Sequence, residues 1–193
     1  MCNDYEQHVS EAAFCAAIAA LELAATDDAA LVQADDVRIG DMGPVLRAQG
    51  NGVELVPMRF GFPPPRPKAG PVFNFKSDGR DFSDSRRCVV VLSGVFEFTG
   101  TKYPKRKHRF ALADSSVMGI AGLWSEAEDG ALSFTMLTTK PGPDVAPVHD
   151  RQVCVLRPED WAAWLFGSKP QGELLRPLPA GTLVVEVVRE GKE

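Results

Sequence analysis

The 193-residue chain predicts one α+β domain over residues 1–193, with a curved, barrel-like, mostly antiparallel sheet flanked by a few helices. Three observations carry that expectation. Short β-branched and aromatic runs, separated by turn residues, recur from Val53 to Val188. Helical character is confined to two main segments, one towards each end. No internal repeat or linker divides the chain, and its length suits a single core.

Taken in order, Ser10 can cap a helix running to about Ala25, with Glu11 favourable in its first turn. Phe14, Ile18, Leu21 and Ala25 recur at three- and four-residue steps and give it an apolar face. Asp27, Asp28, Asp35 and Asp36 then form an acidic, loosely structured connection. Asn51-Gly52 is a turn signal that opens a strand over Val53–Phe60. The proline run from Phe62 to Pro67 must be extended and superficial. Cys88–Phe98 reads as one buried strand, because Val89, Val90, Val91, Leu92, Val95 and Phe96 leave it apolar on both faces. Further strands are expected at Arg109–Ala113, Val117–Trp124, Leu132–Thr139, Val153–Leu156 and Thr182–Val188. Pro158 starts a short helix through Leu165.

The composition, 45% hydrophobic and 24% charged, is that of a globular protein. No stretch reaches the ~18 apolar residues of a membrane span, and the N-terminus lacks a secretory pattern. Cys2, Cys15, Cys88 and Cys154 are widely spaced and only three histidines exist. A zinc site is therefore not expected, and reduced cytoplasmic thiols are. The net charge of −5 is unevenly spread: Arg59–Arg109 carries 12 Lys/Arg against 4 Asp/Glu, and the excess acid lies elsewhere. Such a basic half is either a solvated loop region, notably Lys102–Arg109, or a face for phosphates.

Cysteine directly after the initiator methionine is the unusual feature. Removal of Met1 would leave an α-amine and a thiol on adjacent carbons of Cys2, with reference pKa values of about 8 and about 8.5. That pair suits an N-terminal nucleophile that uses its own amine as base. It equally suits condensation with an aldehyde, closing a five-membered thiazolidine; an incidental cysteine is the third possibility. Among other candidates, Glu97 is the only acid in an apolar strand, so it either faces outward by alternation or is buried with a raised pKa. His149 precedes a strand in a polar loop, where a lone histidine is often merely structural. Asn74 is a lone amide between aromatics.

Read together, several segments resemble the SOS response-associated peptidase family of abasic-site-processing proteins. They are Met1-Cys2-Asn3, Met58-Arg-Phe-Gly-Phe-Pro63, Phe73-Asn74, Arg87-Cys-Val-Val-Val91 and Phe96-Glu97-Phe98. Ala121-Gly-Leu-Trp124, Leu137-Thr-Thr139, Val148-His-Asp-Arg151 and Glu159-Asp-Trp161 with Trp164-Leu165 continue the series in family order. The resemblance implies a covalent crosslink, a thiazolidine on Cys2, to abasic sites in single-stranded DNA. It implies proton transfer by Glu97, assistance at the sugar oxygen by His149, and restraint of the Cys2 end by Asn74. Thr138 and Arg151 match positions near sugar and phosphates. Lys76, Arg80 and part of 102–109 are expected on charge to contact the backbone, with Phe60 and Phe98 stacking on bases or wedging against them. The resemblance further implies a monomer acting without metal or cofactor, cytoplasmic and nucleoid-associated. An N-terminal-nucleophile peptidase or amidase is the alternative, and a plain nucleic-acid-binding module a third reading. The chain departs from the family pattern at Asn3-Asp4 (often Gly-Arg), at Phe60 and Phe98 (commonly Trp), and at Lys76 (commonly Arg).

Overall fold

A computed structural model describes residues 2–19, 21, 25–26, 31 and 33–192, with 25–26 described as backbone only. Strand β1 (Asp4–Gln7) leads into helix α1 (Glu11–Ala19), then β2 (Ala25–Thr26), β3 (Ala34–Arg38), β4 (Met42–Gln49) and β5 (Gly52–Phe60). Next come β6 (Asn74–Lys76), β7 (Arg87–Leu92), β8 (Gly94–Thr99), β9 (Arg106–Leu112), β10 (Met118–Glu126) and β11 (Leu132–Thr139). Short strands β12 (Gln152–Val153) and β13 (Val155–Leu156) precede helices α2 (Pro158–Phe166) and α3 (Gln171–Leu174), and β14 (Leu183–Arg189) closes the order. The α+β expectation holds, with strand far exceeding helix.

The strands form two sheets, ordered β14-β9-β8-β1-β3 and β12-β11-β10-β7-β4-β5-β2. The second sheet curls until β11 meets β5 in a two-residue parallel pairing, and β6 runs parallel to β11 on the same side. Among the described residues the sheets enclose a core but do not close as a barrel.

Cys88–Phe98 is two strands rather than one. Ser93 ends β7, and the chain crosses to the other sheet as β8. The Ser93 hydroxyl donates to Glu6 (Oε2, 2.8 Å) and accepts from the His8 amide at 3.0 Å, fixing the crossing against β1. Alternation along β7 sends Val90 and Leu92 into the core between the sheets and Val89 and Val91 into a second core beneath the helices. That double burial explains the uninterrupted apolar run. In the second core Trp161 and Trp164 of α2 are fully buried, and Trp164 Nε1 donates to the Cys88 carbonyl at 2.8 Å.

At the N-terminal end, the Ser10 hydroxyl accepts from the Ala13 amide at 3.2 Å, as a cap should. The helix is shorter than expected: Ala25 lies in β2, and Asp35 and Asp36 lie in β3 rather than in a loose connection. Asp27 and Asp28 fall outside the described residues. Among the described residues, no helix is long and apolar enough to cross a membrane.

Gly43 lets the two sheets approach closely, since a Cβ there would clash with the Tyr5 hydroxyl. Tyr5 is fully buried and cannot withdraw to solvent. Gly43→Ala is therefore expected to destabilise the fold by about 1–3 kcal/mol, seen as a lower Tm. An unchanged Tm would show that Tyr5 moves without cost.

Candidate active site

Cys2 lies just ahead of β1, only 1% exposed, with its thiol directed at the Asp4 carbonyl (3.3 Å). Three segments distant in sequence converge on it. Asn74, held by the pairing of β6 with β11, donates Nδ2–H to the Cys2 carbonyl at 2.9 Å. Its Oδ1 is buried without a hydrogen-bond partner among the described residues. Glu97 and Val95, two apart on β8, face the same way and join Cys2 in lining a small apolar cavity that Val145, Val153 and Val155 complete. His149, in the loop before β12, places Nε2 at 3.8 Å from Glu97 Oε2. Its Nδ1 accepts from the Arg151 amide at 3.0 Å, and the Asp150 carboxylate lies 3.0 Å away, in reach when the ring is protonated instead.

Burial governs the electrostatics. It pushes the Cys2 thiol up to about 12, with the charge of Glu97 adding to the shift. Burial also raises the Glu97 carboxyl above the usual carboxylate range, with His149 opposing. Glu97 is thus the buried alternative of the two that its strand allowed, a proton donor beside a thiol that resists ionising.

The carboxylate of Asp4, next but one to Cys2, does not face this cavity. Lys107 reaches it at 3.2 Å, bonds Asp36 as well, and lies 3.5 Å from the centroid of the Phe96 ring. This buried clamp joins β1, β3 and β9 and fixes the strand that carries Cys2. Opening one arm would leave an uncompensated buried charge.

The clamp also changes the role of the basic run. Lys107 is committed internally, Arg106 pairs with Glu190 at 2.7 Å, and Arg109 pairs with Glu6 at 2.7 Å. Lys107 and Arg109 serve the sheet rather than a groove, whereas the Arg106–Glu190 pair lies at the surface. Lys76 and Arg80 are exposed, and the Arg80 guanidinium lies over the Phe75 ring at 5.4 Å.

Of the two aromatic expectations, the one for Phe60 needs correction. Phe60 is fully buried, stacked on Phe134 at 5.0 Å with edge contacts to Tyr5 and Phe73, so no face remains for a base. Phe98 follows Glu97 on β8 and therefore points to the opposite face, beside Lys107 and Arg189. Thr138 is 1% exposed; its hydroxyl donates to the Phe75 carbonyl (3.2 Å) and accepts from Arg151 (3.2 Å). It positions Arg151 rather than meeting a phosphate itself. Arg151 also pairs with Asp78 at 2.6 Å. Asp78 and the Lys107 clamp are the parts of the site that sequence reading missed. Nothing in the sequence marks them, because both depend on which strands become neighbours.

Removing the Asn74 amide frees the backbone that carries Cys2. Asn74→Ala is expected to slow any reaction at Cys2 by about fivefold or more, the worth of one buried hydrogen bond of ~1 kcal/mol. Single-turnover rates measure this; equal rates would separate Asn74 from the chemistry.

Residues 1–191 match the family model described as SOS response associated peptidase (SRAP). The abasic site processing protein YMR114C of Saccharomyces cerevisiae is 32% identical over 89 residues, which are 45% of this chain and 24% of that protein. The abasic site processing protein YoqW of Bacillus subtilis is 30% identical over 100 residues, 49% of this chain and 44% of its own length. The matches thus cover less than half of each of these curated relatives. Among solved structures, a Bordetella bronchiseptica protein superposes with a TM-score of 0.73 at 23% identity, covering 97% of this chain and all of that one. A phage-related protein of the same organism also gives 0.73, at 19% identity and 98% and 95% coverage. These two likenesses speak for the fold.

Proposed function

The chain belongs to the SOS response associated peptidase (SRAP) family, and from that footing we propose that it processes abasic sites in single-stranded DNA by covalent capture on Cys2. The observation that carries the proposal is the convergence of Asn74, Glu97 and His149 on Cys2, from segments far apart in the chain.

Once Met1 is removed, the Cys2 amine adds to the aldehyde of the ring-opened abasic sugar. Loss of one water gives an imine. The imine is formed protonated on nitrogen; the thiol, giving up its proton, adds to its carbon, and the thiazolidine closes. Glu97 serves both halves: protonated, it supplies the proton that departs with water; ionised, it takes the thiol proton as the C–S bond forms. Burial raises the Glu97 pKa and so favours its protonated, proton-donating form relative to an exposed carboxyl. His149 faces Glu97 and is placed to help the sugar ring open. The same Asn74 amide that holds the Cys2 carbonyl has an acceptor oxygen left for the amine. Lys76 and Arg80 supply cations for the strand, and Arg151, paired with Asp78, shapes the wall beside them.

The peptidase alternative requires a thiolate as first nucleophile, which burial of the thiol opposes. The aldehyde route begins with the amine and draws on the thiol only after the imine has formed. Intact mass spectrometry on the Met1-free protein tests the proposal. Single-stranded DNA with one abasic site should give an adduct equal to protein plus DNA less one water. DNA with a stable tetrahydrofuran in place of the abasic sugar should give none. Equal behaviour of the two oligonucleotides would overturn it.

A further inference from the structure

Beside the Arg151–Asp78 ion pair, with Asp78 in its wall, lies a pocket of about 320 Å³ that the chemistry at Cys2 does not use. Its wall includes Asp78, Arg80, Thr139, Gln171, Gly172 and Leu175. We propose that this pocket holds the base of a nucleotide flanking the abasic site. The inference rests on the abasic-site reading and goes beyond it, because it concerns the intact neighbour of the lesion.

Four features argue for a nucleobase. The volume is in the range of small-ligand sites and the pocket opens to solvent on one side, as a base still tethered to its strand requires. The lining mixes an apolar floor, Leu175, with polar edges, Thr139 and Asp78, matching a base with an apolar face and a polar rim. Asp78 is not a bare carboxylate facing DNA, since Arg151 neutralises it at 2.6 Å. The exposed Arg80 on the same wall, lying over Phe75, can meet the phosphate of the nucleotide whose base enters.

The pocket is also built in advance. Gln171 of α3 accepts from the Phe82 amide at 3.0 Å and donates to the Arg80 carbonyl, tying the loop after β6 to the helix. Placement completes the case. Thr139 directly follows Thr138, which holds Arg151, and Asp78 bonds that same arginine. The pocket and the Cys2 site thus meet at one residue, Arg151, whose guanidinium holds Asp78 and whose backbone amide holds His149, so a strand with its abasic sugar at Cys2 brings a neighbouring base to this wall. With its donors and acceptors largely engaged, the pocket reads the presence of a base more than its identity.

Gly172 supplies the test. A Cβ there meets nothing within 4 Å, so a large side chain can be added without a clash at its root. Met1-free wild type, Gly172→Trp and Gly172→Ala are compared on single-stranded oligonucleotides with one abasic site. In these the 5′ neighbour, the 3′ neighbour or neither is replaced by a base-less tetrahydrofuran. Wild type and Gly172→Ala should crosslink about tenfold more slowly, at subsaturating protein, when one particular neighbour lacks its base. Gly172→Trp should show that slow rate on every oligonucleotide, with an unchanged melting temperature. Indifference of the wild type to both neighbours would overturn the proposal, as would a Gly172→Trp variant that still senses the base. Affinities for a matched series with tetrahydrofuran at the central position are read in parallel. If no adduct forms at all, the crosslinking reading falls, and the tenfold difference, present or absent in these affinities, decides the pocket.

Discussion

Cys2→Ala and Cys2→Ser are each expected to reduce the heat-stable adduct with abasic single-stranded DNA to background, while retaining most of the affinity for the strand. Both variants keep the α-amine after Met1 removal, so both should still form the reversible imine. Borohydride, which reduces an imine to a stable amine, should restore a covalent product with either variant. The pattern follows from the division of labour at Cys2: nitrogen captures the aldehyde and sulfur locks it. Burial strengthens the expectation. A thiol pushed up to about 12 contributes little thiolate at neutral pH, so it is a poor first nucleophile but an effective trap within a few ångströms of an imine. Denaturing gels with and without borohydride read the result. A heat-stable adduct with Cys2→Ala at the wild-type yield would remove Cys2 from the centre of the account.

Glu97→Gln is expected to slow adduct formation by about 10²–10⁴-fold, the usual worth of a positioned acid–base group, with little change in DNA affinity. Reversal should slow in parallel, because the same proton transfers run backwards. The variant should also differ in stability, and the sign is fixed by burial. A carboxyl whose pKa is raised on folding binds its proton more tightly in the folded state. Its contribution is therefore full below the unfolded value near 4.5 and is lost as pH rises through the folded value. Glutamine carries no such loss, so Glu97→Gln should melt above wild type at pH 7 and lose that advantage below pH ~4.5. Each kcal/mol relieved raises Tm by about 2–4 °C in a chain of this size. Single-turnover kinetics and thermal melting at the two pH values check both halves. A variant that is slower and also less stable at pH 7 would mark Glu97 as structural.

Much of the fold was legible because its strands are strongly apolar. Leu132–Thr139 was found to the residue, and α2 followed from Pro158 and its tryptophans. The split at Ser93 was not legible: one polar residue in an apolar run gives no sign that the chain changes sheet. Strand β4 was missed because Gly43-Pro44 looks like a break. Pro44 is tolerated because the pairing to β7 begins only at Val45, so no partner there needs its missing N–H.

The site divides along similar lines. Cys2, Asn74, Glu97 and His149 stand out as chemically odd residues in their segments, and the structure brings them together. Phe60 misled because an aromatic residue is equally at home on a base or in a core, and only register decides. The basic run misled for a related reason. Lys107 looks like a groove cation in sequence, but β9 lies beside β8 with Asp4 and Asp36 in reach, so its charge is spent inside. That contact also resolves Asp4, an awkward neighbour for a DNA-binding cysteine until Lys107 is seen to hold it.

The most direct test of Cys2 as the point of capture is to locate the covalent bond. Crosslinked wild-type protein, after nuclease and protease digestion, should give one modified peptide. It should be the N-terminal one, beginning at Cys2 without Met1 and carrying the sugar remnant less one water. A remnant on a lysine such as Lys76, or on an N-terminal peptide that retains Met1, would contradict the account.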